Sequence, residues 1–145
     1  MTQEERELLL RDLCARAQYN VKILVSKGKR VKNNGKTKYY DLVDTVYGVI
    51  FYNDEPRIVT PQNFSFLDRN GIRNFGGWTV EEVKPYLRPM SSMTEEEERE
   101  FEETLQYTQY TLESYDWLNA HHFDYRGLIE KGLALEATEG MYKIK

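Results

Sequence analysis

The chain has 145 residues, 40% of them hydrophobic and 30% charged, with a formal net charge of −4. That length suffices for a core without staples, and the single cysteine, Cys14, excludes an intramolecular disulfide. Glu4, Glu5 and Glu7 stand where a secretory signal needs positive charge, and no apolar run approaches the length of a bilayer span, so a cytoplasmic protein without a membrane partner is expected.

Thr2 followed by Glu5 is a capping box, with acids in the first turn where the helix dipole favours them. Leu10, Leu13, Cys14 and Ala17 recur at helical spacing, which predicts a helix from about Gln3 to Ala17 with one apolar stripe. The period then changes to two. Val21, Ile23 and Val25 alternate along one predicted strand, and Tyr39–Val43 and Val46–Tyr52 are β-branched and aromatic runs of strand length. Asn53-Asp54-Glu55-Pro56 is turn chemistry, and Arg57–Thr60 reads as the return strand.

From Pro61 to Pro89 the periodicity dissolves. Asn70-Gly71 and Gly76-Gly77 mark turns, while Phe64, Phe66, Ile72, Phe75 and Trp78 are too apolar for a free linker, so irregular chain folded against the sheet is expected. Thr79–Glu82 can cap one helical turn. A second capping box, Thr94 with Glu97, opens a long helix expected to run to about Asn119, with Phe101, Leu105, Thr108, Leu112 and Tyr115 along one face. Asp124 then caps a short helix through Lys131, stopped by Gly132. The fold class is α+β: an N-terminal helix on a small antiparallel sheet or partly open barrel over residues 1–89, then a helical region, 90–145, packed on it.

The most unusual segment lies between the first two strands. Lys22, Lys27, Lys29, Arg30, Lys32, Lys36 and Lys38 fall in seventeen residues without an acid, and Gly28, Asn33, Asn34 and Gly35 predict a mobile loop at a hairpin tip. Such a loop can follow phosphates or an acidic protein surface. The commoner role of such a segment is a solvated loop whose lysines discourage edge-to-edge sheet pairing. Opposite in sign is Glu95–Glu103, seven glutamates and one arginine, for which the helix N-terminus is a sufficient local explanation.

His121, His122 and Asp124 form the one metal-like cluster, but zinc wants three or four convergent ligands and the chain offers no further histidine. Glu82-Val83-Lys84, with an earlier acid such as Asp68, has the spacing of restriction-type nuclease sites, yet Pro85 comes immediately after and no buried apolar strand is expected around it. Phosphate-cradling glycine loops and nucleophile elbows are absent from the sequence, and Cys14 reads as a small hydrophobe in a helix stripe. Neither a catalytic centre nor a cofactor is expected.

Two stretches carry a resemblance. Val83-Lys84-Pro85-Tyr86-Leu87-Arg88-Pro89-Met90-Ser91-Ser92-Met93-Thr94-Glu95-Glu96-Glu97 resembles a linker and capping box of small proteins encoded by phages and prophages of gut anaerobes. Asp116-Trp117-Leu118-Asn119-Ala120-His121-His122-Phe123-Asp124-Tyr125-Arg126-Gly127-Leu128-Ile129-Glu130-Lys131-Gly132-Leu133-Ala134-Leu135-Glu136-Ala137 resembles the C-terminal block of the same group. The resemblance implies a mobile-element origin and a small protein that acts by binding, and carries over no functional residue. The resulting expectation is a non-enzymatic accessory protein that binds a host protein, such as a nuclease of a defence system. Nucleic-acid binding through residues 27–38 is the alternative, and a metal-dependent enzyme at His121, His122 and Asp124 a third reading. Trp117, Tyr125 and Arg126 either fasten the C-terminal block or offer an aromatic, arginine-bearing contact surface.

Overall fold

A computed structural model describes residues 1–61, 66–67, 73–74 and 77–142. The chain divides into two compact units, Met1–Pro85 and Tyr86–Lys145. Mixed helices and strands make it α+β, and the described strands close no barrel.

In the first unit α1 (Gln3–Arg16) starts at the expected capping box: Glu5 N donates to Thr2 Oγ1 at 3.1 Å, and Thr2 N to Glu5 Oε1 at 3.0 Å. Its buried face differs from the expected stripe. Leu9, Asp12, Leu13 and Arg16 point inward, whereas Cys14 is exposed. The cause is an ion pair, Arg16 Nε to Asp12 Oδ2 at 2.9 Å, in which both side chains are fully buried. Burying a charge is costly unless it is paired, so these two residues turn the helix as a unit. Strands β1 (Lys22–Asn33) and β2 (Lys36–Thr45) form one antiparallel hairpin, and β3 (Gly48–Tyr52) and β4 (Glu55–Val59) another. The second hairpin turns at Asn53 and Asp54, both at positive φ, as a two-residue connection requires. Val21, Ile23, Val25, Val46, Ile58, Val80 and Val83 are buried together with Leu9 and Leu13.

Between the hairpins and the domain boundary, β5 (Phe66–Leu67) pairs with β6 (Arg73–Asn74). Asp68, the turn Asn70-Gly71, and the aromatic positions Phe64 and Phe75 lie outside the described residues, as does Ile72. Thr79 and Glu82 do form a capping box around one 3-10 turn, Val80–Glu82. The chain then enters a strand, β7 (Val83–Leu87), with Val83, Pro85 and Leu87 buried. The expectation that no buried strand surrounds Glu82-Val83-Lys84 is therefore corrected. Pro85 is tolerated because φ near −65° suits an extended chain, and the segment Val83–Pro85 pairs antiparallel with β1 over only three positions.

The second unit is organised around Arg88. Its guanidinium donates to both oxygens of Glu97, at 2.7 and 2.8 Å, and lies 4.2 Å from the centre of the Phe123 ring. Its amide donates to His122 O and its carbonyl accepts from Asp124 N. Glu97 in turn closes the capping box of α2 (Glu95–Thr104). Phe101, Leu118 and Phe123 form the core beside Trp117 and Leu105. Within this unit Tyr86 and Leu87 pair parallel with β8 (Leu135–Glu136).

Two helical expectations fail here. The long helix is broken into α2 and α3 (Leu112–Ala120). Thr111 Oγ1 and Ser114 Oγ both donate to Thr104 O, at 2.9 and 3.1 Å, satisfying a carbonyl that a continuous helix would have bonded itself. Thr111 and Ser114 also cap α3. The short helix from Asp124 to Lys131 is instead a set of turns: both Asp124 oxygens accept amides, from Leu128 and Ile129 at 2.9 Å. Gly127 at φ +73 lies in the left-handed region and interrupts any helix, while Gly132, also at +73, ends the segment as expected.

Burial raises the Glu97 carboxyl, but the hydrogen bonds and charge of Arg88 and the Thr94 amide outweigh it, and its pKa lies below the ordinary 4.5. A depressed folded-state pKa means stability that is fully present above 4.5 and is lost as the pH falls through the folded value. Glu97→Ala, which strands the Arg88 guanidinium, is expected to cost about 3 kcal/mol at pH 7. The cost should shrink as the pH falls further below 4.5 in urea unfolding followed by tryptophan emission; a pH-independent difference would exclude this role for the pair.

Candidate functional site

The basic segment is not a loop. β1 and β2 continue past the core as a two-stranded ribbon, with Lys29 opposite Tyr40, Arg30 opposite Tyr39, Val31 opposite Lys38, Lys32 opposite Thr37 and Asn33 opposite Lys36. Asn34 and Gly35, at φ 51 and 75, make the two-residue turn at its tip. An Asn-Gly pair is a strong hairpin signal, and it is the one cue in the sequence to ordered strands here.

A core strand becomes a solvent ribbon at a bulge. The register jumps from Val25–Leu42 to Lys29–Tyr40, so Ser26, Lys27 and Gly28 face a single residue, Asp41. Lys27 sits at φ 56, and its amide donates to Asp41 Oδ1 at 3.1 Å. At Gly28 a Cβ would come within 2.9 Å of Val25 Cβ and 3.0 Å of Leu42 Cβ, so no larger residue fits without a shift. A bulge bends its strand and increases local twist, which is how chain leaves a core and enters solvent.

Beyond the bulge every residue from Val31 to Asp41 is exposed. Cross-strand partners share a face and successive residues alternate. Val31, Asn33, Lys36, Lys38 and Tyr40 accordingly line one shallow concavity with Asn34. Lys32, Thr37 and Tyr39 belong to the other face. At the foot of that second face Glu81 and Glu82 stand near Ser26, Lys27 and Tyr39. Both carboxylates are engaged, Glu81 by Arg6 at 2.6 Å and Glu82 by the Thr79 amide and hydroxyl. Glu82 thus serves a cap, and the nuclease-like spacing brings no metal site on the described residues.

The six cations from Lys27 to Lys38 fall in twelve residues, while the rest of the chain carries fourteen basic against twenty-four acidic residues. Positive charge is thereby concentrated on one projecting element. The second unit is the reverse, with six basic and thirteen acidic residues.

The C-terminal candidates are mostly internal. Trp117 is half-buried between Phe101, Phe123 and a stacked His121 ring at 4.0 Å. Tyr125 donates to Asn119 Oδ1 at 2.9 Å, and Arg126 lies 4.7 Å from the centre of the Tyr125 ring. The histidines and Asp124 are also occupied: His121 Nδ1 meets Trp117 O at 2.8 Å, and the His122 ring stacks on Tyr142 at 3.9 Å. With Asp124 holding two amides, no group of three or more ligating side chains assembles among the described residues. The exposed surface of this unit lies elsewhere, at Tyr107 and Leu112, 90% and 85% exposed. Sequence reasoning misses them because the periodicity predicts a continuous helix there. Tyr107 and Thr108 sit at φ 51 and 69, conformations that tyrosine and threonine rarely adopt.

No family model, curated protein or solved structure matches this chain. No helix among the described residues is long and apolar enough to cross a membrane.

Gly28→Ala is expected to destabilise the first unit by about 1–3 kcal/mol through overpacking against Val25 and Leu42. Urea unfolding monitored at Trp78 checks it, and an unchanged midpoint would mean that the bulge is not tightly packed.

Proposed function

We propose that this chain is a non-enzymatic binding protein, an accessory of a phage or prophage, whose basic ribbon holds nucleic acid through its phosphates. One observation carries the reading: an acid-free ribbon, Lys27–Tyr40, whose outer part is exposed on both faces and which bears six cations. Charge density favours nucleic acid over an acidic protein. The ribbon beyond the bulge is roughly 15 Å long at about 3.4 Å per residue. Duplex DNA carries one negative charge per about 1.7 Å of axis, a density that a cationic element meets whatever its orientation. A protein surface rarely matches that density.

A second reading supports a protein partner in the host, such as a nuclease. Tyr107 and Leu112 project from a stretch, residues 100–125, that contains no lysine or arginine and several acids. That pattern suits an apolar pocket with a basic rim. Pull-down from host lysate with the native chain and with a Tyr107→Ala, Leu112→Glu chain tests it. One stoichiometric partner should be retained by the first and released by the second; identical retained sets remove this reading.

Nucleic-acid binding should weaken steeply with salt. Replacing Lys29, Lys32 and Lys38 by alanine is expected to lower the slope of log affinity against log salt by about 0.9 for each phosphate that is no longer neutralised. Lys131→Ala, on the second unit, should leave it unchanged. Fluorescence anisotropy with a labelled oligonucleotide measures both, and an unaltered slope in the triple variant removes the ribbon as the site.

A further inference from the structure

We infer that the ribbon is built for the major groove of double-helical DNA rather than for a single strand or an RNA duplex, an inference that rests on the nucleic-acid reading. The pleat is the reason. Tyr39 and Tyr40 are adjacent on β2 and therefore point to opposite faces. Proteins that hold single strands stack successive bases on aromatic rings along one groove. Here each face offers a single tyrosine, so no such platform exists on the ribbon.

The cations are divided in the same way. Lys29, Lys36 and Lys38 share the face of Tyr40, while Lys32 lies on the face of Tyr39. A ribbon charged on both faces matches a cleft with phosphates on both walls. A single strand would leave one charged face without a partner.

Size selects the groove. The ribbon's backbone is a single layer of two strands, and the side chains of its two faces reach outward from it on either side. The major groove of B-form DNA is about 12 Å wide and 8.5 Å deep and admits a two-stranded ribbon, whereas the minor groove is about 6 Å wide. The major groove of an RNA duplex is too narrow for side chains to read. The ribbon's length of roughly 15 Å exceeds the groove depth, so its tip can reach the floor while its base stays outside. The tip itself carries Asn33, Asn34 and Lys36, with Lys32 and Thr37 the next pair back, and their amide, ammonium and hydroxyl groups can pair with base edges.

The test uses the full chain and labelled probes of one sequence: a 24-base-pair DNA duplex, the corresponding RNA duplex, and each DNA strand alone. DNA duplex should bind at least tenfold more tightly than the other probes. Methyl green, which occupies the major groove, should displace the protein, and netropsin, which occupies the minor groove, should not. Equal or tighter binding of a single strand or of the RNA duplex overturns the inference and leaves phosphate binding intact, as does displacement by netropsin alone. Absence of binding to every probe overturns the nucleic-acid reading itself.

Discussion

The ribbon exists because one strand does two jobs. The first half of β1 buries Ile23 and Val25 in the core, and in the second half Lys29 and residues 31–33 are exposed. An isolated two-stranded hairpin is at best marginally stable in water, so the exposed half depends on its continuity with the buried half. The bulge at Ser26–Gly28 is where this transfer of support takes place. Gly28 allows the close approach to Val25 and Leu42, and Asp41 holds the Lys27 amide from the partner strand. A cationic arm can therefore be extended without an apolar face of its own, and its side chains from Val31 to Tyr40 remain open to a ligand.

The second unit solves a different problem, that of joining short elements without a long helix. Arg88 meets a carboxylate, a ring and a backbone carbonyl at once, since its Nη1 also reaches His121 O at 3.4 Å. Arginine suits this place because its planar fork matches the carboxylate while its face packs on an aromatic ring. Trp117, Phe123 and the two histidines are absorbed in this packing, so their chemistry is largely spent on structure.

Legibility in the sequence depends on whether a feature is local. The capping boxes at Thr2, Thr79 and Thr94 are readable because donor and acceptor lie three residues apart. The strands of the second hairpin are readable from β-branched runs flanking turn residues. The outer ribbon is not, because strand patterning requires one apolar face and this ribbon has none; only Asn34-Gly35 betrays it. The helix break at Leu105–Thr111 is hidden in a periodicity that survives the break, while its cause, the bonds of Thr111 and Ser114 to Thr104 O, is a contact across the turn. The rotation of α1 comes from Asp12 and Arg16, whose burial no hydropathy pattern announces. Of the candidate site, the charges are legible and the shape is not.

The exposure of the outer ribbon has an energetic consequence. Local opening costs little where few apolar side chains must separate, so the amides from Lys29 to Tyr40 are expected to exchange sooner than those of the buried half of β1. A ligand gripping both strands would resist that opening, and the gain in protection would report occupancy strand by strand.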